Sequence, residues 1–192
     1  MLKSILAGII SLFLFCACQQ SEISNDNVDK EFQLLKDGQT KGIFEINDTL
    51  FYKNESIFNG KITISSRGLN TEMNDQYKSQ FFLHIPSINF SKREKIIVKE
   101  GTIDEFNNNL MIGKVINEKQ HLGEGQLLTI GELEIIEMTR EKLIIGIKGK
   151  VGRYSSGIKE PKLWKKISGV VICKKPDYSL VNLTEKEVFG PF

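Results

Sequence analysis

Reactive side chains are scarce in this chain. Its 192 residues hold two histidines, His84 and His121, in separate segments and without a neighbour at metal-ligand spacing. A zinc site usually needs three or four ligands, so no metal site is expected. Three cysteines, at 16, 18 and 173, are too few for a disulfide framework. Nothing matches a P-loop: Gly123-Glu124-Gly125 reads as a turn and lacks the following Lys-Ser/Thr. Ser155-Ser156-Gly157 is too generic to mark a nucleophile. Alanine is scarce while Lys, Ile and Asn are abundant, a hint of an AT-rich bacterial genome. No catalytic residue and no cofactor are expected.

Charge of one sign is also missing. The chain carries 26 Lys+Arg against 24 Asp+Glu, and residues 1–17 hold Lys3 and no acid. The remaining 175 residues therefore stand at 25 against 24, or +1. That balance gives no net pull toward nucleic acid, which is not expected as a partner. No apolar run reaches the ~20 residues that a bilayer span needs.

What is present begins at the N-terminus. Lys3 precedes an almost continuously apolar stretch, Ile5 to Phe15, followed by Cys16-Ala17-Cys18-Gln19. A basic start, an apolar stretch of about 7–15 residues and a small residue before the cut define a secretory signal. Cutting before Cys18 places small Ala17 at the cleavage position, whereas cutting before Cys16 would place bulky Phe15 there. Residues 1–17 are thus expected to be a lipoprotein signal peptide, with Cys18 the lipid-bearing first residue of the mature chain. Two or more acyl chains anchor stably, so a membrane contact through the N-terminal lipid is expected. Gln19 in place of an Asp points to the outer membrane, facing either the periplasm or the surface. Residues 18–40 read as a polar tether that includes one possible helix, 28–37, with Val28, Phe32 and Leu35 on one face and Gly38 as its stop.

Residues 41–192 are expected to form one β-rich domain. Ile43–Ile46 and Thr49–Tyr52 flank Asn47-Asp48, a pair that tolerates positive φ in a tight hairpin. Further strands are expected at Ile57–Ser65, Gln80–Ile85 (closed by Pro86), Lys95–Lys99, Leu110–Ile116, Leu127–Met138, Lys142–Val151 and Lys165–Lys174. The apolar/acidic alternation of Glu132–Met138 slips at Ile135-Ile136, the mark of a bulge. Gly146 and Gly149 interrupt their run as at a bend or a close approach. Short separators between many strands predict an all-β fold, an antiparallel β-sandwich or small barrel.

Three features bear on function. Cys173 lies in the strand-like Val170-Val171-Ile172-Cys173 and reads as a buried small hydrophobe. Glu132 and Glu134 share a strand face and read as solvated rather than as a glycosidase pair, and Asp104-Glu105 is a second acidic pair. Residues 140–175 hold eleven cations, Arg140, Lys142, Lys148, Lys150, Arg153, Lys159, Lys162, Lys165, Lys166, Lys174 and Lys175, against Glu141 and Glu160, a local +9. With Tyr154 and Trp164 among them, Lys148, Lys150, Arg153, Lys165 and Lys166 make a possible binding face for an anionic protein or glycan partner.

The layout resembles small Bacteroidota envelope lipoproteins of unknown function. The resemblance lies in Phe44-Glu45-Ile46-Asn47-Asp48-Thr49-Leu50-Phe51, in Gly131-Glu132-Leu133-Glu134-Ile135-Ile136 leading into Leu143–Val151, and in the closing run Trp164–Cys173. It spans 42–175 and implies a tethered β-sandwich domain, with no catalytic residues to carry over. Three functions compete: a non-enzymatic anchored binding domain, an immunity- or inhibitor-type lipoprotein, and a hydrolase built on His84, His121 and Asp104 or Glu105.

Overall fold

The computed structural model describes residues 25–86, 95–98, 109–154 and 158–190. The expected signal peptide, residues 1–17, and Cys18 lie outside them, as do Asp104, Glu105 and 155–157. Eleven strands dominate: β1 (Thr40–Ile46), β2 (Thr49–Leu50), β3 (Phe58–Ser65), β4 (Gly68–Asp75), β5 (Gln80–Pro86), β6 (Lys95–Val98), β7 (Leu110–Asn117), β8 (Leu122–Met138), β9 (Lys142–Arg153), β10 (Lys165–Lys174) and β11 (Tyr178–Val181). Two short helices, α1 (Asn25–Leu34) and α2 (Glu185–Phe189), and a single 3₁₀ turn at Pro161–Leu163 complete the described elements. No helix among the described residues is long and apolar enough to cross a membrane.

Each long strand pairs antiparallel with the next, in the order β3-β4-β5-β7-β8-β9-β10-β1. The Thr40–Phe58 pairing joins β1 back to β3, so these eight strands close into a barrel, not a sandwich. Period-two alternation fills the closed interior. Ile62 and Ile64, Leu69 and Met73, Phe81, Leu83 and Ile85, Leu110 and Ile112, and Leu143, Ile145 and Ile147 all point to one shared, buried interior. An eight-stranded barrel is just wide enough for side chains to fill, and one continuous apolar cluster runs through this one. At one end, Phe44, Tyr52, Phe58 and Phe81 meet edge to face, with ring centroids 5.0–5.7 Å apart. Such pairs add about 0.5–1.5 kcal/mol each beyond burial. The Tyr52 hydroxyl donates to the Gln80 carbonyl at 2.6 Å, and burial pushes its pKa far up.

Several expectations hold in detail. Asn47 and Asp48 have φ of 49° and 62° and make the β1–β2 turn, and β10 spans the expected Lys165–Lys174. Three depart. Gly123-Glu124-Gly125 is not a turn: it lies in β8, opposite Val115, Lys114 and Gly113 of β7. The turn sits just before it, at His121, whose φ is 51°. Strand β4 goes unforeseen because its outward positions are Asn, Glu and Asn, residues poor in strand propensity. The helix near the N-terminus runs Asn25–Leu34 and packs on the barrel through Val28, with Leu35 following it into the same contact. The folded unit therefore reaches back beyond the expected start at 41.

β8 is long because it serves different neighbours along its length. β7 pairs with residues 122–127 and β6 with 131–134, while β9 runs along the other edge. Two register shifts bend it, between Leu128 and Ile130 and between Ile135 and Glu137. Between the shifts, Gly131 and Gly149 face each other. A methyl built on Gly149 would lie 2.2 Å from the Ile130 carbonyl oxygen and 2.7 Å from the Gly131 Cα. The two backbones can meet this closely only without side chains. Gly149→Ala should therefore destabilise by about 1–3 kcal/mol, as overpacking does. Gly113→Ala, whose added methyl meets nothing nearer than 3.7 Å, should stay within about 0.5 kcal/mol. Urea unfolding of both variants measures this, and equal losses would show that the Gly131–Gly149 approach is not tight.

Candidate functional site

The same alternation that fills the barrel sets a second row of side chains on its outer wall. On β9 and β10 the outward positions are Ile144, Gly146, Lys148 and Lys150, and Lys166, Ser168, Val170 and Ile172. α1 covers one end of this wall, where Val28 and Leu35 pack against Ile144, Val170 and Ile172. Beyond the helix the wall is open. A groove of about 650 Å³ runs there between α1, β6 and the outer faces of β8–β10.

The floor of the groove is made by small residues and by the β8 bulge. Ile136 is the extra residue of the shift, so its side chain turns outward and lies over Gly146. It stays 43 % exposed. Charged residues stand around the apolar floor, with Asp29, Glu132, Glu134 and Glu137 facing Lys95, Lys142, Lys148 and Lys166. Lys95 pairs with Glu134 at 3.5 Å, and Lys148 sits directly across the ladder from Glu132.

Lys142 closes the helix end. Its ammonium reaches Asp29 of α1 at 3.2 Å and Glu137 at 3.3 Å, and lies 4.8 Å from the centre of the Phe32 ring. Burial acts to lower its pKa, but hydrogen bonds and attraction from the two carboxylates outweigh burial and hold it above the ordinary lysine value. Lys41, buried in the wall, donates to the Asn54 carbonyl and stands 4.0 Å from Glu31, a second tie to the helix.

The basic face expected from sequence is divided by the fold. Lys148 and Lys166 line the groove. Lys150 sits beside them, directly opposite Lys166. Arg153, Tyr154, Trp164 and Lys165 gather where β9 and β10 end and do not line the groove. Tyr154 is exposed there, and the Trp164 ring nitrogen donates to the Ile158 carbonyl at 3.1 Å. The local +9 shrinks in space, because acids come from elsewhere in the chain. Arg140 pairs with Glu185, Lys142 with Asp29 and Glu137, and Lys175 with Asp37 at 2.9 Å. Lys150 and Lys166 form no ion pair among the described residues.

The reactive candidates stay apart. The His84 Nδ1 lies 2.7 Å from the Asn70 side-chain oxygen on the outer face of β5, and partial burial lowers its pKa. His121 occupies the exposed β7–β8 turn. Cys173 points into the barrel, fully buried, and burial pushes its thiol up to about 12 despite a hydrogen bond with Thr40. Glu132 and Glu134 face the groove among lysines. No group of three or more metal-ligating side chains occurs among the described residues. The sequence did not join Val28, Asp29 and Lys95 to this face. The slip at Ile135-Ile136 together with Gly146 was the signal that marked its floor.

No family model, curated protein or solved structure matches the chain.

Two outcomes follow. With so high a pKa, Cys173 is almost wholly thiol at neutral pH, and thiolate is the reactive form. In a Cys16→Ser/Cys18→Ser chain it should resist a thiol reagent until denaturant is added, and prompt native labelling would contradict its burial. Lys142→Met should loosen α1 by about 1 kcal/mol, the scale of a partly exposed ion pair. Because the raised pKa stabilises the fold only while the lysine is charged, wild type should lose protection in the same direction as pH rises through the lysine range. Hydrogen exchange of the α1 amides reads both effects, and unchanged protection in the variant would show that Lys142 does not hold the helix.

Proposed function

We propose that the chain is a lipid-anchored protein of the bacterial outer membrane that acts by binding rather than by catalysis. The carrying observation is the contrast between the two faces of the barrel wall. Side chains fill the inside, whereas the outside of β8–β10 presents a groove with an exposed isoleucine floor and a charged margin. Ligand sites are concave, with polar groups at fixed positions, and this groove is concave, with charged side chains of both signs around its apolar floor. The anchor reading comes from the run of Ile5 to Phe15 and the Ala17-Cys18 junction. The separation of His84, His121 and Cys173 favours binding over chemistry, since a nucleophile needs a base within hydrogen-bond reach.

Metabolic labelling with a radioactive fatty acid tests the anchor in the full-length chain. Wild type and Cys16→Ser should take up label and partition into detergent. Cys18→Ser should do neither. Label retained in Cys18→Ser, or lost in Cys16→Ser, would overturn the assignment.

A further inference from the structure

We propose that the outer face of β8–β10 docks on the surface of the anionic bilayer that holds the anchor. The inference rests on the lipid-anchor reading and names the ligand of the groove face.

The first observation is where the chain enters the fold. Six residues separate Cys18 from Asn25, the first residue of α1. Seven Cα–Cα steps reach at most about 25 Å. Val28 and Asp29, in the first turns of that helix, line the groove. An acylated Cys18 therefore holds this side of the barrel close to the headgroups.

The second observation is charge. Most groove carboxylates are neutralised within the protein: Glu134 by Lys95, and Asp29 and Glu137 by Lys142. Glu132 faces Lys148 across the ladder. Lys150 and Lys166 are left directly opposite each other on neighbouring strands. Like charges placed so are destabilising. An anion between them removes that repulsion, and a layer of phosphate headgroups supplies one.

The third observation is apolar exposure on the same face. Ile97 lies opposite Glu132, so it shares the outward side of β8 with Ile130 and Ile136. The three are 63 %, 37 % and 43 % exposed. Isoleucines among lysines match the interfacial layer, where apolar groups sink between headgroups and cations stay at the phosphates.

The test uses the mature chain, residues 18–192, with Cys18→Ser, so that no acyl chain contributes. Sedimentation compares phosphatidylcholine vesicles with and without phosphatidylglycerol. The expected result is binding to the anionic vesicles only, released by raising salt. Each lysine near such a surface contributes about fivefold in partition, so Lys150→Gln/Lys166→Gln should weaken binding by about 25-fold. Ile136→Ser should weaken it too. Lys61→Gln/Lys78→Gln, on β3 and on the β4–β5 turn, should leave it nearly unchanged. No binding to anionic vesicles, equal binding to both vesicle types, or equal losses from the two lysine pairs would overturn the proposal. Such a failure leaves the anchor standing, because fatty-acid labelling at Cys18 tests that separately.

Discussion

Eight strands enclose a space that side chains can fill or a small ligand can share, and here buried side chains occupy it. Phe44, Phe58 and Phe81 meet edge to face inside it, and Ile, Leu and Val from the surrounding strands fill the remainder. The rest of the molecule depends on this filling. A barrel with an open lumen could hold a ligand inside; on the proposed reading this one binds on its outer surface. The inner alternation also fixes the outer face. Once Leu143, Ile145 and Ile147 are committed inward, Ile144, Gly146 and Lys148 must face out, because a one-residue slip would exchange the two sets.

The outer wall solves its own burial problem in two ways. Where it is most apolar, at Ile144, Val170 and Ile172, α1 covers it, tied down by Lys142 and Lys41. Where α1 ends, the wall stays open, and the β8 bulge lays Ile136 over Gly146 as an exposed floor. The result is a surface with apolar residues at its centre and charges around them. Those charges mostly cancel, except where Lys150 meets Lys166. On the proposed reading, the tether that enters beside this face and the lysine pair that stands on it serve one contact.

Much of the fold is legible in the sequence, because long strands with clear alternation announce themselves. The 165–174 strand, the Asn47-Asp48 turn and the slip at Ile135-Ile136 follow from local chemistry alone. Closure does not. Whether the sheet splits into two layers or curls into one depends on the pairing of Thr40 with Phe58, eighteen positions apart in sequence, and no local pattern encodes it. β4 was hidden by its polar outward positions, and β11 by its short length. The groove was half legible. The lysines stood out as a run, but their true neighbours, Asp29, Lys95, Glu132 and Glu134, come from three other elements. A charge count along the chain therefore overstated a basic face that in space is mixed.

The proposed orientation of the barrel on its membrane is tested most directly by the depth of a spin label in the acylated protein. A nitroxide at Ile136→Cys is compared with one at Glu72→Cys, on β4 across the barrel, both in a Cys16→Ser background where Cys173 is buried. On anionic vesicles the label at 136 should be shielded from a water-soluble relaxation agent and accessible to oxygen dissolved in the bilayer, with the label at 72 showing the reverse. Equal exposure to water at both positions would contradict the orientation and leave the β8–β10 face without its proposed ligand.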